Sequence, residues 1–158
     1  MRQTGVEINI ARATSDDLVF LNKLNTLPHS AGTIFEVPIY GPEGISENHN
    51  TAVFVAKNKG EVVGFASVKI VDSRAQRLAT IEHFGVNPTY WRKRIGNKLL
   101  GVVNAFLISK KVEKGFLISS NAGLLFYAKT NWKLADKKAQ KFVWVPKPNP
   151  RIKLCRKR

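Results

Sequence analysis

Residues 84–100 read Phe84-Gly85-Val86-Asn87-Pro88-Thr89-Tyr90-Trp91-Arg92-Lys93-Arg94-Ile95-Gly96-Asn97-Lys98-Leu99-Leu100. A β-rich run from Leu78 to Val86 stops at a proline. A short basic loop follows. Apolar residues then recur at helical spacing (Ile95, Leu99, Val102, Val103, Phe106, Leu107), which predicts a helix over 91–111. The first N–H groups of a helix have no intrahelical acceptor, and the helix dipole adds positive potential behind them. A strand, a loop and a helix start in that order therefore build an anion site. Arg92, Lys93 and Arg94 add charge at the same place, and a pyrophosphate is the natural guest.

A second stretch, Ser119-Ser120-Asn121-Ala122-Gly123-Leu124-Leu125-Phe126-Tyr127-Ala128-Lys129-Thr130-Asn131-Trp132, reads as a strand end, a short helix and a turn. Leu124, Leu125 and Phe126 supply its apolar side. Asn131 stands where a left-handed residue is expected, a conformation Asn tolerates better than most side chains.

Outward from these two stretches the chain alternates strand and helix irregularly. Residues 7–13 predict a strand, and Thr14, Ser15, Asp16 and Asp17 supply N-cap chemistry for a helix with Leu18, Phe20, Leu21 and Leu24 on its apolar face. A long connection rich in Pro, Gly, Ser and Asn runs from 25 to 50. Residues 51–57 and 61–71 predict two strands joined at Asn58-Lys59-Gly60, a hairpin signal. Residues 115–119, 132–135 and 141–145 complete the strands. The order β-α-loop-β-β-β-α-β-α-β-β argues a mixed α/β sheet, not a doubly wound fold or a barrel.

At 158 residues and 17.7 kDa the chain is of single-domain size. Composition shifts once, near Pro146, so a domain over 1–146 and a basic tail over 147–158 are expected. The longest nearly apolar run, 99–108, is half a membrane span and contains Asn104, which argues against a membrane helix. The single cysteine, Cys155, cannot close an internal disulfide, which points to a reducing, cytoplasmic setting. His29 and His49, near Glu43 and Glu47, fit no metal template, and no Walker loop or G-x-S-x-G elbow is present.

The charge of +15 is one-sided. Residues 1–82 carry 8 basic and 9 acidic side chains; residues 83–158 carry 18 and 2. Such a field captures polyanions: a phosphate-rich cosubstrate, a nucleic acid or an acidic protein.

The two stretches resemble the motifs of the GCN5-related N-acetyltransferase (GNAT) family. Val86, Pro88, Tyr90, Gly96, Leu99 and Leu100 match the motif that holds the pyrophosphate of acetyl-CoA. Phe126, Tyr127, Lys129 and Trp132 match the downstream motif. The element order matches as well, so the resemblance spans roughly residues 7–145. Four positions depart from it: Trp91 replaces an Arg or Gln, Arg94 a Gly, Ser120 an Asn and Asn131 a Gly.

The resemblance implies acetyl-CoA as acyl donor, held by Phe84, Val86, Trp91, Arg92, Lys93, Arg94, Ile95, Gly96, Asn97, Ser120 and Lys129. It implies Tyr127 as the acid that protonates the departing thiolate. Backbone N–H groups near Val86 would hold the thioester oxygen. A Lys-like amine has a pKa near 10.4 and attacks only when neutral, so a base is needed, and Glu82 is the candidate. His83 is adjacent but should face the other side of the strand. By spacing alone Tyr127 reads as a core tyrosine, and Glu82 equally as a solvent-facing carboxylate. The acceptor is open: a nucleic-acid-linked amine, a protein amine or an aminoglycoside. The last follows from resemblance to 2′-N-acetyltransferases with Glu at position 82 and a non-Gly residue at 94. A fold that binds CoA or nucleic acid without turnover is the other class. A homodimer is an implied state.

Overall fold

The computed structural model describes residues 7–17, 19–21 and 50–147. Leu18 and Leu24 of the first helix lie outside those residues. So do the connection 25–49, with His29, His49, Glu43 and Glu47, and the tail 148–158 with Cys155.

Seven strands form one sheet among the described residues: β1 (Ile8–Arg12), β2 (Thr51–Asn58), β3 (Glu61–Ser73), β4 (Gln76–Val86), β5 (Lys114–Ile118), β6 (Lys133–Asp136) and β7 (Lys141–Trp144). Two helices join them, α1 (Ile95–Ser109) and α2 (Leu124–Ala128), and residues 19–21 are also helical. The spatial order is β1-β2-β3-β4-β5-β7-β6. Every pairing is antiparallel except β4 with β5. This is the expected mixed α/β architecture.

The central strands are buried on both faces, which is why Ala52–Ala56 and Val62–Val68 read as nearly continuous apolar runs, with Ser67 the one polar residue, instead of alternating. On one face, Leu99, Leu100, Val103 and Leu107 of α1 pack on Ala66, Val68, Ile70, Ala79 and Ile81. Each of the Leu, Val and Ile side chains contributes about 1.5–3 kcal/mol on burial. On the opposite face Leu21 packs with Val53, Val55, Val62 and Phe65. Asp17 is buried there. It accepts the Thr14 N–H at 2.8 Å and pairs with Lys57 at 2.7 Å, fastening the Ser15–Asp17 turn to β2.

The hairpin after β2 closes through Lys59 (φ 49°) and Gly60 (φ 84°), with Asn58 opposite Glu61. Two left-handed residues in a two-residue loop match the strand twist.

Three local expectations are corrected. The helix begins at Ile95, not Trp91, because Arg92 and Arg94 adopt φ of 65° and 60°, which no right-handed helix accommodates. Asn131 is not left-handed. The turn after α2 is instead made by Thr130, whose hydroxyl donates to the Tyr127 carbonyl (2.7 Å) and accepts from the Trp132 N–H (3.1 Å). The Asn131 side chain accepts a 3.3 Å bond from Asn104, whose own oxygen takes the Trp132 indole N–H at 3.0 Å. Leu125 is 77% exposed and belongs to no apolar face.

Two glycines test the packing in opposite directions. A Cβ on Gly115 would sit 2.9 Å from the Trp132 ring, which is stacked on Trp144 and cannot yield. Gly115→Ala should destabilise the protein by about 1–3 kcal/mol through overpacking. Gly101 lies inside α1 with open space around it, so Gly101→Ala should stabilise by about 0.5–1 kcal/mol. Urea unfolding of the two variants checks both signs.

Candidate active site

The parallel pairing of β4 and β5 lasts three residues, Leu78–Thr80 against Lys114–Phe116. Beyond it the two strands no longer bond to each other. Ile81–Val86 and residues 117–120 become facing walls of a cavity of about 760 Å³, which extends to the start of α1.

One irregularity shapes the β4 wall. Val68 pairs with Ile81 and Ser67 with His83, so Glu82 is an extra residue, a β-bulge. Simple alternation would turn His83 away from Glu82. The bulge resets the alternation, and both side chains take the face opposite α1. This corrects the expected placement of His83. Glu82 and His83 both line the cavity. Phe84, one residue further, returns to the α1 face and packs on the main core.

Tyr127 reaches the cavity from the α1 face. Its ring meets Phe84 at 5.9 Å, Phe126 at 5.0 Å and Phe142 at 5.4 Å. It is 6% exposed, and among the described residues its hydroxyl has no hydrogen-bond partner. Burial among these rings disfavours the phenolate and pushes the phenol well above its ordinary range. Burial therefore favours the neutral, protonated phenol. Ser120 caps the turn before α2, its hydroxyl accepting the Gly123 N–H at 3.3 Å, and also lines the cavity.

The far end is built by residues 91–97. The Lys98 N–H is the first to bond back along the helix, to the Arg94 carbonyl at 3.1 Å. The N–H groups of Ile95, Gly96 and Asn97 therefore project from the helix start. Arg94 occupies the N-cap position without a side-chain cap. It keeps a left-handed backbone although it carries a Cβ, at about 1 kcal/mol of strain. Trp91 donates its indole N–H to the Val86 carbonyl at 2.7 Å, tying the loop to the end of β4. Gly96 is close to Phe126: a Cβ there would meet the ring at 3.2 Å. That contact joins the two sequence stretches, since Phe126 in turn stacks on Phe84 at 5.6 Å.

Of the candidate donor-site residues, Phe84, Val86, Trp91, Arg92, Arg94, Ile95, Gly96, Asn97 and Ser120 line the cavity, and two do not. Lys93 turns aside, its ammonium 5.3 Å from the Tyr90 ring centre. Lys129 is the exposed C-cap of α2. Sequence reasoning passed over several wall residues. Tyr90, whose hydroxyl accepts from Asn58 at 3.1 Å, matched a motif but had no role assigned. Leu117, Ile118 and Ser119 join the wall only because β5 has left β4, which no local pattern signals.

Residues 21–131 match the sequence pattern described as the acetyltransferase (GNAT) family, and the chain belongs to that family. The solved structures agree in fold. The PaiA N-acetyltransferase from Thermoplasma acidophilum, in complex with coenzyme A, is 22% identical with a TM-score of 0.70, over 87% of this chain and 96% of that one. An aminoglycoside acetyltransferase from an uncultured soil metagenomic sample, in complex with trehalose, is 25% identical with a TM-score of 0.65, over 82% and 90%. The ribosomal-protein-S18-alanine N-acetyltransferase from Escherichia coli is 16% identical with a TM-score of 0.66, over 93% and 99%. No curated protein matches the sequence. Among the described residues no helix is long and apolar enough to cross a membrane.

Trp91→Phe removes the indole donor and leaves the Val86 carbonyl without it. It should lower stability by about 1 kcal/mol in chemical denaturation. Tyr127 gives a pH test. Its folded pKa is raised, so its contribution to stability is complete below the unfolded tyrosine value of about 10 and is lost as pH rises past it. The stability of the wild type minus that of Tyr127→Phe should be flat below pH 10 and decline above it, as read from urea midpoints.

Proposed function

We propose that the chain is an N-acetyltransferase that moves an acetyl group from acetyl-CoA to a primary amine by direct attack on the thioester. The observation that supports this most is the cavity itself. It passes between the parted strands, with helix-start N–H groups at one end and Glu82 and Tyr127 on its walls. The residues present suit the donor. Arg92, Arg94 and the N–H groups of residues 95–97 match a pyrophosphate. The unpaired edges of β4 and β5 offer backbone partners to the amides of a pantetheine arm. The rings around Tyr127 suit the apolar thioester end.

Acetyl-CoA, when bound, supplies an activated acyl carbon. The protein supplies orientation and proton handling. Glu82, on the face opposite α1, takes the proton of the incoming ammonium so that the neutral amine attacks. The bulge withdraws Glu82 from the β3 ladder, and backbone N–H groups near it and Val86 stabilise charge on the thioester oxygen. Tyr127, on the α1 side, protonates the departing thiolate. Base and acid thus work from opposite faces of one sheet, through the gap between β4 and β5.

Calorimetric titration should give micromolar binding of acetyl-CoA that weakens with an analogue lacking the pyrophosphate. In acetyl transfer to an amine panel, Tyr127→Phe should lower kcat about 100-fold with donor affinity unchanged. Glu82→Gln should lose most rate near neutrality and recover as pH approaches the pKa of the amine, where the base is no longer needed. Donor binding with no transfer to any amine would favour the alternative, a GNAT-like binder without turnover.

A further inference from the structure

Strand register continues the Glu82 face into a surface unlike the rest of the cavity. Partners opposite one another share a face of the sheet. The row Lys69–Thr80–Phe116–Val143–Lys133 crosses five strands and lies on the face opposite α1, the face Glu82 takes. Next to this row along β5 stand Lys114 and Ile118, the latter opposite Lys141. Lys69, Thr80, Lys114, Ile118 and Lys133 are exposed. Among the described residues, the acids on this face are Glu82 itself, Asp136, whose carboxylate accepts the Ala139 N–H at 3.0 Å, and Asp17, which is buried and paired with Lys57.

Strand spacing puts Phe116 about 8 Å from Glu82, one strand across and two residues down. Ile118 lines the cavity directly. The surface is therefore continuous with the acceptor side of the site. Its centre is apolar, with Phe116, Ile118 (75% exposed) and Val143, and its rim is lysine.

We propose that this face docks the acceptor, and that the acceptor is an acidic polypeptide segment whose amine enters beside Glu82 while its carboxylates meet Lys114, Lys141 and Lys69. The inference rests on the N-acetyltransferase reading of the cavity. Two features select this chemistry. A polycation such as an aminoglycoside meets like charge on its approach, which costs affinity and on-rate. A nucleobase needs an open aromatic face, but the Phe116 ring already carries two ammonium groups, Lys141 at 4.6 Å and Lys114 at 5.7 Å from its centre. Carboxylates pair with those ammonium groups without displacing them. An apolar side chain of the segment fills the ground between Ile118 and Val143.

The test compares matched amine-bearing peptides flanked either by Asp and Glu or by Lys. The enzymes are the wild type, Lys114→Gln/Lys141→Gln and Lys114→Glu/Lys141→Glu, with melting curves to verify folding. The wild type should prefer the acidic peptide about tenfold in kcat/KM, through KM and not kcat. The preference should shrink at high salt, vanish in the Gln variant and invert in the Glu variant. Donor binding should be unchanged in all three. Equal kcat/KM for the two peptides would overturn the proposal. So would preference for the basic peptide, or competition by a single-stranded RNA oligonucleotide but not by the acidic peptide. Direct binding of the same peptides separates the two readings. If no amine is acetylated but the acidic peptide still binds in a lysine-dependent way, the docking face stands and the enzymatic reading falls.

Discussion

The parting of β4 from β5 after three parallel pairs is the constraint on which the rest of the molecule depends. A parallel pair buried in a sheet ordinarily continues, because each unpaired backbone group in an apolar interior carries a penalty of a few kcal/mol. Here it stops, and the ends of both strands become polar walls. The gap is held open from both sides. Phe84, Phe126 and Tyr127 fill the α1 side with three rings in mutual contact. On the other side the bulge at Glu82 bends β4 and turns two consecutive side chains to one face.

The second dependency is the loop between β4 and α1. Family motifs place a glycine where Arg94 stands, and this chain keeps the left-handed backbone without it. The strain, also present at Arg92, is offset by local fastenings: the Trp91 indole on the Val86 carbonyl, the Asn87 side chain accepting the Thr89 N–H at 3.0 Å, and the buried Ile95 at the helix start. The residues at 91 and 94 act on adjacent parts of this loop. One secures the strand end from which the loop leaves, and the other adds a cation to a geometry that already presents N–H groups. Neither closes the cavity, since both residues lie along its wall.

A third consequence is a difference between the two faces. Tyr127, the proposed acid, is buried among aromatic rings. Glu82, the proposed base, is exposed on the opposite face. The environments differ because α1 covers one face of β4 and β5, whereas among the described residues Lys69, Lys114 and Lys133 on the other face are open to solvent. The excess of positive charge in the second half of the chain is thus partly explained by position. Some of it surrounds the helix start, and some lines the open sheet face.

What the sequence alone determined is whatever depends on local spacing. Alternation and helical periodicity placed the elements, the Asn58-Lys59-Gly60 turn set a register, the motifs at 84–100 and 119–132 singled out the basic loop and Tyr127, and the strand leading into the loop offered Glu82 as a candidate. These were legible because strand, turn and helix preferences act over a few residues. What only the tertiary structure decided are features set by strands distant in sequence. The bulge that puts His83 beside Glu82 is defined against Ser67 and Val68. The contact that leaves little room for a Cβ at 96 comes from Phe126. The wall formed by Leu117, Ile118 and Ser119 exists because β5 leaves β4. The left-handed turn expected at Asn131 was replaced by hydrogen bonds from Thr130 and Asn104. In each case the deciding partner lies elsewhere in the chain or in a competing side-chain bond, and a pattern read along one segment carries no information about it.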